Sequence, residues 1–248
     1  MIDKILLRLR LASRKCCGSN QIKYIYEKHR GSDLLVVVFS GFSEENAPAR
    51  FNYIRTLLPL KTDKLFILDD FGYRNRGSYY LTGHSGDESL QNEILSLIGK
   101  YRGTQKLVTA GSSKGATAAL LYGLRCGADA VIAGAPQYHL GTYLAQPYHR
   151  NILEGICGDG SEEAVQKLNA LLPDQIRKSA GTETTVFLHC SPLEHTYEDH
   201  VKDLLADLKA CNYAVHEDLD DSYSDHAKIG QYFSGYLFRT MQKIMEET

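Results

Sequence analysis

The stretch Leu34 to Phe39, LLVVVF, constrains the fold more than any other part of the chain. β-Branched and aromatic residues favour extended backbone, and a strand that is apolar at every position must be covered on both faces. A mostly parallel sheet wrapped by helices supplies that cover. The rest of the chain keeps the rhythm that such a sheet needs. Helical spacing over Ala47 to Leu58 precedes a strand at Leu65 to Leu68, a helix at Glu88 to Tyr101 and a strand at Lys106 to Ala110. A helix at Lys114 to Arg125, a strand at Ala130 to Ala133, a helix around Glu162 to Leu172 and a strand at Thr185 to His189 follow. The chain closes with the helix Glu198 to Ala210, the strand Tyr213 to Leu219 and the helix His226 to Met245. Before LLVVVF, the β-rich run Ile22 to Tyr26 is joined to it by His29-Arg30-Gly31-Ser32-Asp33, so the two runs read as a hairpin. No repeat, low-complexity tract or linker divides the chain, and 248 residues at 43% hydrophobic suit one α/β domain, 1–248. Gln137 to Ala180 is the longest part without a clear strand. It is expected over the carboxyl ends of the strands as a lid-like insertion, where such sheets bind ligands.

Between the strand KLVTA and the helix KGATAALLYGL stands Gly111-Ser112-Ser113-Lys114-Gly115, which fits G-x-S-x-G with Ser113 at its centre. A strand-to-helix turn this tight forces its central residue into a strained conformation and leaves room only for minimal side chains two positions before and after. Gly111 and Gly115 meet that need. Ser113 then stands above the sheet at a helix N-terminus, where free N–H groups favour developing negative charge. The competing reading is a glycine-rich turn with ordinary capping serines. Neither phosphate-loop spacing is present, and S-x-x-K is absent at Ser112 and Ser113.

A serine hydroxyl is a weak nucleophile until a neutral imidazole within reach takes its proton. In an α/β-hydrolase fold the order is serine, acid, histidine, with the histidine after the last strand, and His226 is the histidine there. His226 as a solvent-facing helix-start residue is the bland alternative; His189 lies in a strand, His195 and His200 lie near the loop and helix after it, and His84, His139 and His149 fall in stretches that could line a cleft, so none competes as the base. The acid is expected after the preceding strand, in Ser191-Pro192-Leu193-Glu194, which selects Glu194. Glu198 and Asp199 lie further on, and Asp221 and Asp225 beside His226 are alternative orienters. An oxyanion hole needs two backbone donors, one from the residue after the nucleophile and one from the loop after the early central strand. These are Lys114 and Phe42, with Gly41, in Phe39-Ser40-Gly41-Phe42-Ser43, allowing close approach of substrate to backbone.

Charge and cysteine content narrow the classes further. Lys and Arg total 28 against 30 Asp and Glu, without a basic run on an aromatic platform, so no nucleic-acid partner is expected. The six cysteines form no CxxC pair and have no histidine at zinc-ligand spacing, which reads as reduced thiols, with no metal and no cofactor. MIDKILLRLRLASRKCC lacks the unbroken apolar stretch of a signal peptide or membrane span, and a cytoplasmic location is expected. That segment reads as a strand or helix packed on the domain, or as a basic amphipathic segment at a membrane surface.

VVVFSGF, LFILDDFGYRNRGSYYL and GSSKGATAALLYGL together resemble the XcbB/CpsF family of capsular-polysaccharide biosynthesis. More distantly they resemble the acetyltransferase-like component of the accessory Sec system. The likeness spans about Leu34 to Gly134, with weaker support around Glu194 and His226; where a second glycine often follows GSSKG, this chain has Ala116. The resemblance implies an α/β-hydrolase core in bacterial surface-glycan assembly, with O-acetylation of sugars as the activity of the more distant relative. It leaves room for peripheral association with membrane-bound glycan-assembly machinery. The expected function is a serine esterase or O-acyltransferase acting on an acylated carbohydrate; the alternative is a non-catalytic domain that binds glycan or a partner protein, and a weaker one a small-molecule thioesterase or peptidase. The loop Asp69 to Tyr80 should open onto the same cleft, with Arg74, Arg76 and Tyr79 as substrate contacts. With Lys114, the arginines suggest an anionic substrate; solvated arginines in a connector are the competing reading.

Overall fold

The computed structural model describes residues 2–42 and 47–247. Ser43, the last residue of the glycine-bearing loop singled out above, lies outside them. The strands are β1 (Lys15–Cys17), β2 (Ile22–Glu27), β3 (Leu34–Phe39), β4 (Asp63–Ile67), β5 (Lys106–Ser112), β6 (Ala130–Gly134), β7 (Thr185–Cys190) and β8 (Ala214–Leu219). They form one eight-stranded sheet in the order β1-β2-β4-β3-β5-β6-β7-β8. From β4 to β8 every pairing is parallel, while β2 runs antiparallel to β4 and β1 antiparallel to β2. The expected hairpin is therefore wrong. Every residue of β3 is buried, and the strand takes the centre with parallel neighbours β4 and β5 on its two sides. β2 is displaced outward and pairs with β4 instead, Tyr24 opposite Ile67 and Glu27 opposite Lys64.

Helices cover both faces, as the all-apolar strand requires. On one side lie α3 (Ser89–Arg102), α4 (Lys114–Arg125) and α7 (Glu162–Lys178), linked by Arg125, whose guanidinium donates to Gln91 of α3 and Gln175 of α7. On the other lies α9 (Ile229–Glu246), with α2 (Ile54–Leu57) against it. Strand periodicity assigns the faces. A Cβ added to Gly123 of α4 would stand 2.7 Å from Val131 Cγ2 on β6, whereas one added to Gly134, three residues along the same strand, would stand 2.5 Å from Phe233 of α9. α4 is buried along nearly its whole length, including Leu120, Leu121, Tyr122 and Leu124. At about 1.5–3 kcal/mol per large apolar side chain, that burial anchors the helix that begins at the elbow.

Two other expectations are revised. The helix read over Ala47 to Leu58 forms only at Ile54–Leu57. Tyr53, at φ 60°, interrupts any longer helix, and Asn52 turns its Oδ1 to the Gly41 amide at 2.9 Å. The segment from Gln137 to Ala180 holds α5 (Leu140–Leu144), α6 (Arg150–Cys157) and α7. α7 packs on α4 through buried Leu168, Leu172 and Ile176 and so covers the sheet face, which leaves α5 and α6 as the part able to overhang the strand ends. At the N-terminus α1 (Ile2–Ala12) is tied to β2 by Arg10 and Glu27, 2.8 Å apart, and exposes Ile5, Leu9 and Leu11. Among the described residues no helix is long and apolar enough to cross a membrane.

Candidate active site

Ser113 ends the turn between β5 and α4 with φ 51° and ψ −124°, a conformation that costs a non-glycine residue roughly 1–3 kcal/mol. Its surroundings show why the flanking positions are glycine. A Cβ on Gly111 would lie 2.3 Å from the Gly115 carbonyl oxygen, and one on Gly115 would lie 2.5 Å from that of Phe39. The Ser113 amide donates to Gly134 O at 2.7 Å, and its carbonyl accepts from the Ala116 and Thr117 amides, so the strained turn is held from both sides.

His226 Nε2 stands 2.9 Å from Ser113 Oγ. On the other side of the ring, Nδ1 is 3.2 Å from Glu194 Oε1 and 3.1 Å from Thr196 Oγ1. Glu194 follows β7 and is 2% exposed; apart from His226, Oε1 is met by Cys190 Sγ at 3.6 Å, and Oε2 has no hydrogen-bond partner among the described residues. The loop carrying His226 is pinned by Tyr223, whose carbonyl accepts from Ser191 Oγ and whose hydroxyl lies 3.3 Å from His189 Nε2. The other carboxylates weighed from the sequence are engaged elsewhere. Asp225 accepts from the Ala227 amide as an N-cap, and Glu198 and Asp199 pair with Lys202 and His195. Asp221 is exposed. His200 is buried, accepts the His139 amide on Nδ1, and has its pKa lowered to about 4 by burial and by the nearby His139.

The sequence-assigned oxyanion donors sit on built supports. The Phe42 ring lies against Tyr79 at 5.6 Å and His149 at 6.0 Å, with Lys114 Nζ 5.2 Å above it, and the preceding Gly41 amide is fixed by Asn52. Gly41 does not owe its identity to crowding by the protein, since a Cβ there would meet only Ser112 O, at 3.5 Å.

Two of the proposed substrate contacts are corrected. The Lys114 side chain is wholly buried and its Nζ bonds Asp69 Oδ2 at 2.9 Å, so it is not a cation for substrate. The charge is matched internally; burial lowers its pKa while Asp69 opposes the shift. Tyr79 is 1% exposed, with its ring in the core and its hydroxyl donating to Gln137 Oε1 at 3.4 Å. Gln137 in turn places Nε2 3.2 Å from Ser113 Oγ, a contact that the sequence reading missed because Gln137 lies in a stretch without periodicity.

Arg74 and Arg76 do face open space. With Tyr73, Tyr148 and Asn151 they line a cavity of about 560 Å³ between the loop after β4 and α6. Tyr148 is 83% exposed, and among the described residues Arg76 Nε is buried without a partner. None of the cavity residues is Ser113 or His226. His149, next to Tyr148, stacks on Phe42, and its pKa is lowered by burial and by Arg76. Among the described residues no group of three or more His, Cys, Asp or Glu is placed to hold a metal ion.

No family model matches the chain, and no curated protein matches it in sequence. Solved structures do match. A mutant of the capsule O-acetyltransferase of Neisseria meningitidis serogroup A, in complex with CoA, superposes with a TM-score of 0.80 at 21% identity over 95% of this chain and 96% of that one. A glycosylation-associated protein complex from Streptococcus agalactiae gives 0.75 at 20% identity, over 92% of this chain and 46% of that one. The fluorophosphonate-binding serine hydrolase F of Staphylococcus aureus gives 0.60 at 16% identity, over 90% and 91%. With the strand order and the turn at Ser113, these likenesses show the α/β-hydrolase fold. The first is named a capsule O-acetyltransferase and the second a glycosylation-associated protein complex, in line with the glycan-assembly class that the sequence resemblance indicated.

Proposed function

We propose that the chain is a serine O-acyltransferase or esterase acting on acylated carbohydrate in bacterial surface or capsular polysaccharide assembly, with Ser113, His226 and Glu194 as its triad. The observation that carries this reading is the unbroken line Ser113 Oγ, His226 Nε2, His226 Nδ1, Glu194 Oε1, with spacings of 2.9 and 3.2 Å on the two sides of the ring. In it Ser113 Oγ attacks an acyl carbonyl and passes its proton to Nε2, and buried Glu194 keeps the ring in the productive tautomer and stabilises its cation. The carbonyl oxygen becomes an oxyanion held by the Phe42 and Lys114 amides. The Nε2 proton then goes to the leaving group as its bond to the acyl carbon breaks. A sugar hydroxyl or water repeats the sequence in reverse to release Ser113.

The Neisseria relative was solved with CoA, and an acyl thioester of that kind is the donor this reading favours. Arg74 and Arg76 in the 560 Å³ cavity suit phosphate on such a donor or an anionic group on the acceptor, and exposed Tyr73 and Tyr148 suit a sugar face. We read the protein as cytoplasmic, with peripheral contact to membrane-bound assembly machinery as its route to a glycan. The test is reaction with a fluorophosphonate probe at neutral pH followed by peptide mapping. An adduct on Ser113, absent from Ser113→Ala, is expected. Folded protein without that adduct would overturn the triad in favour of a non-catalytic domain that binds glycan or a partner.

A further inference from the structure

We propose that Gln137 is a catalytic donor to the nucleophile's own oxygen, acting mainly when Ser113 Oγ departs from the acyl group. The proposal rests on the serine acyl-transfer reading above. Gln137 is fully buried just beyond β6, and its backbone is clamped to α4 in both directions: its amide donates to Thr117 Oγ1 at 3.0 Å, and Thr117 Oγ1 donates to its carbonyl at 3.2 Å. The side-chain amide has one orientation consistent with its neighbours. Ala135 O, 3.5 Å from Nε2, can only accept, which places Nε2 on that side and leaves Oε1 to accept from the Tyr79 hydroxyl, a group that could pair with either atom. The atom 3.2 Å from Ser113 Oγ is therefore an N–H donor.

A serine oxygen has one proton and two lone pairs. With the proton directed at His226 Nε2 and one lone pair taken by Gln137, the other lone pair is free to attack. Donation to Oγ slightly weakens it as a nucleophile and helps it as a leaving group. In the first half-reaction the Oγ–C bond forms, the Oγ proton goes to Nε2, and the donor group leaves with that proton. In the second, the acceptor oxygen bonds the acyl carbon and gives its proton to Nε2. The C–Oγ bond then breaks, its electron pair returns to Oγ, and Oγ takes the proton from Nε2. Negative charge grows on Oγ as that bond breaks, and the Gln137 N–H contact strengthens with it, as donors do at any oxygen gaining charge in a closed site. Gln137 thus lowers the barrier to release of Ser113 more than the barrier to its acylation.

The experiment follows the burst and steady state of p-nitrophenyl acetate turnover in wild type, Gln137→Leu and Gln137→Glu, each with a Tm. For Gln137→Leu the acylation rate and kcat/KM should stay near wild type. kcat and KM should fall together by on the order of tenfold to a hundredfold as acyl-enzyme accumulates, a smaller effect than full loss of an oxyanion donor because the Oγ charge is partly quenched by the Nε2 proton. Gln137→Glu separates donation from packing. Its neutral carboxyl can donate and its carboxylate cannot, so kcat should fall with rising pH in a step that wild type lacks. Folded Gln137→Leu with wild-type burst and kcat would overturn the proposal while leaving the triad intact. If Gln137→Leu does not fold, a Gln137→Glu pH profile parallel to wild type would overturn it equally. Wild type that neither labels with fluorophosphonate nor turns over the ester would remove the triad reading, and Gln137 with it.

Discussion

Replacing Lys114 with methionine would keep most of its buried stem and leave the Asp69 carboxylate without a countercharge. Both side chains are 0% exposed and 2.9 Å apart. Asp69 keeps two other partners, the Ser78 and Tyr80 amides at 3.0 and 3.3 Å. Removing one member of a buried pair costs about 3–5 kcal/mol, and those amides place this case near the lower end, about 3 kcal/mol. That is a large part of the roughly 5–15 kcal/mol that holds a typical domain folded. Urea unfolding at pH 7 should show the loss as a lowered midpoint. The deficit should shrink as pH falls, because protonation of the orphaned Asp69 removes the uncompensated charge. The double variant Lys114→Met/Asp69→Leu should be more stable than the sum of its single variants implies, since a buried pair replaced by apolar groups is often neutral. A Lys114→Met deficit under about 1 kcal/mol, or strictly additive single variants, would refute the account. A lysine serving substrate would instead leave stability unchanged and raise KM.

Two further outcomes are expected. Glu194→Gln should keep the fold and lower kcat on the order of 10⁴-fold, whereas Asp225→Asn should stay near wild type because asparagine caps the Ala227 amide equally well; steady-state kinetics of the two variants decides between the acids. Burial lowers the His200 pKa from 6.5 to about 4 in the folded state, so between about pH 6.5 and 4 the unfolded chain binds a proton that the folded chain does not. Stability should fall as pH drops through that window, by roughly 3 kcal/mol in full, and His200→Asn should flatten that part of a stability-versus-pH curve measured with denaturant.

What could be read from the sequence follows physical rather than positional lines. The elbow was legible because its demands are local: two glycines that meet backbone at under 3 Å, between a strand and a helix whose patterns are unambiguous. His226 and Glu194 followed from strand order once β7 and β8 were recognised, since His226 is the one histidine in the loop after β8 and Glu194 the first carboxylate after β7. The β2–β3 pairing was misread because turn residues signal a reversal without saying which strand the chain returns to; burial of β3 on both faces decided it, and that is a tertiary fact. Lys114 and Tyr79 looked like surface ligands because a charged or phenolic group usually reaches water. Here Asp69 and Gln137, distant in sequence, satisfy them inside.

The two halves of the proposed proton relay rest on foundations of unequal strength. Ser113 directly follows β5, which has hydrogen-bonded strands on both sides, whereas His226 follows β8, which lies at the sheet's edge with β7 alone beside it and carries mostly exposed side chains. Proteins open in pieces, and the least buried pieces open at the lowest free energy. Fraying of β8 would withdraw the base while the strained serine, α4 and the central strands stayed intact. Inactivation would then be a partial and reversible event well short of global unfolding, and the integrity of this one edge would set the temperature range over which the folded protein also works.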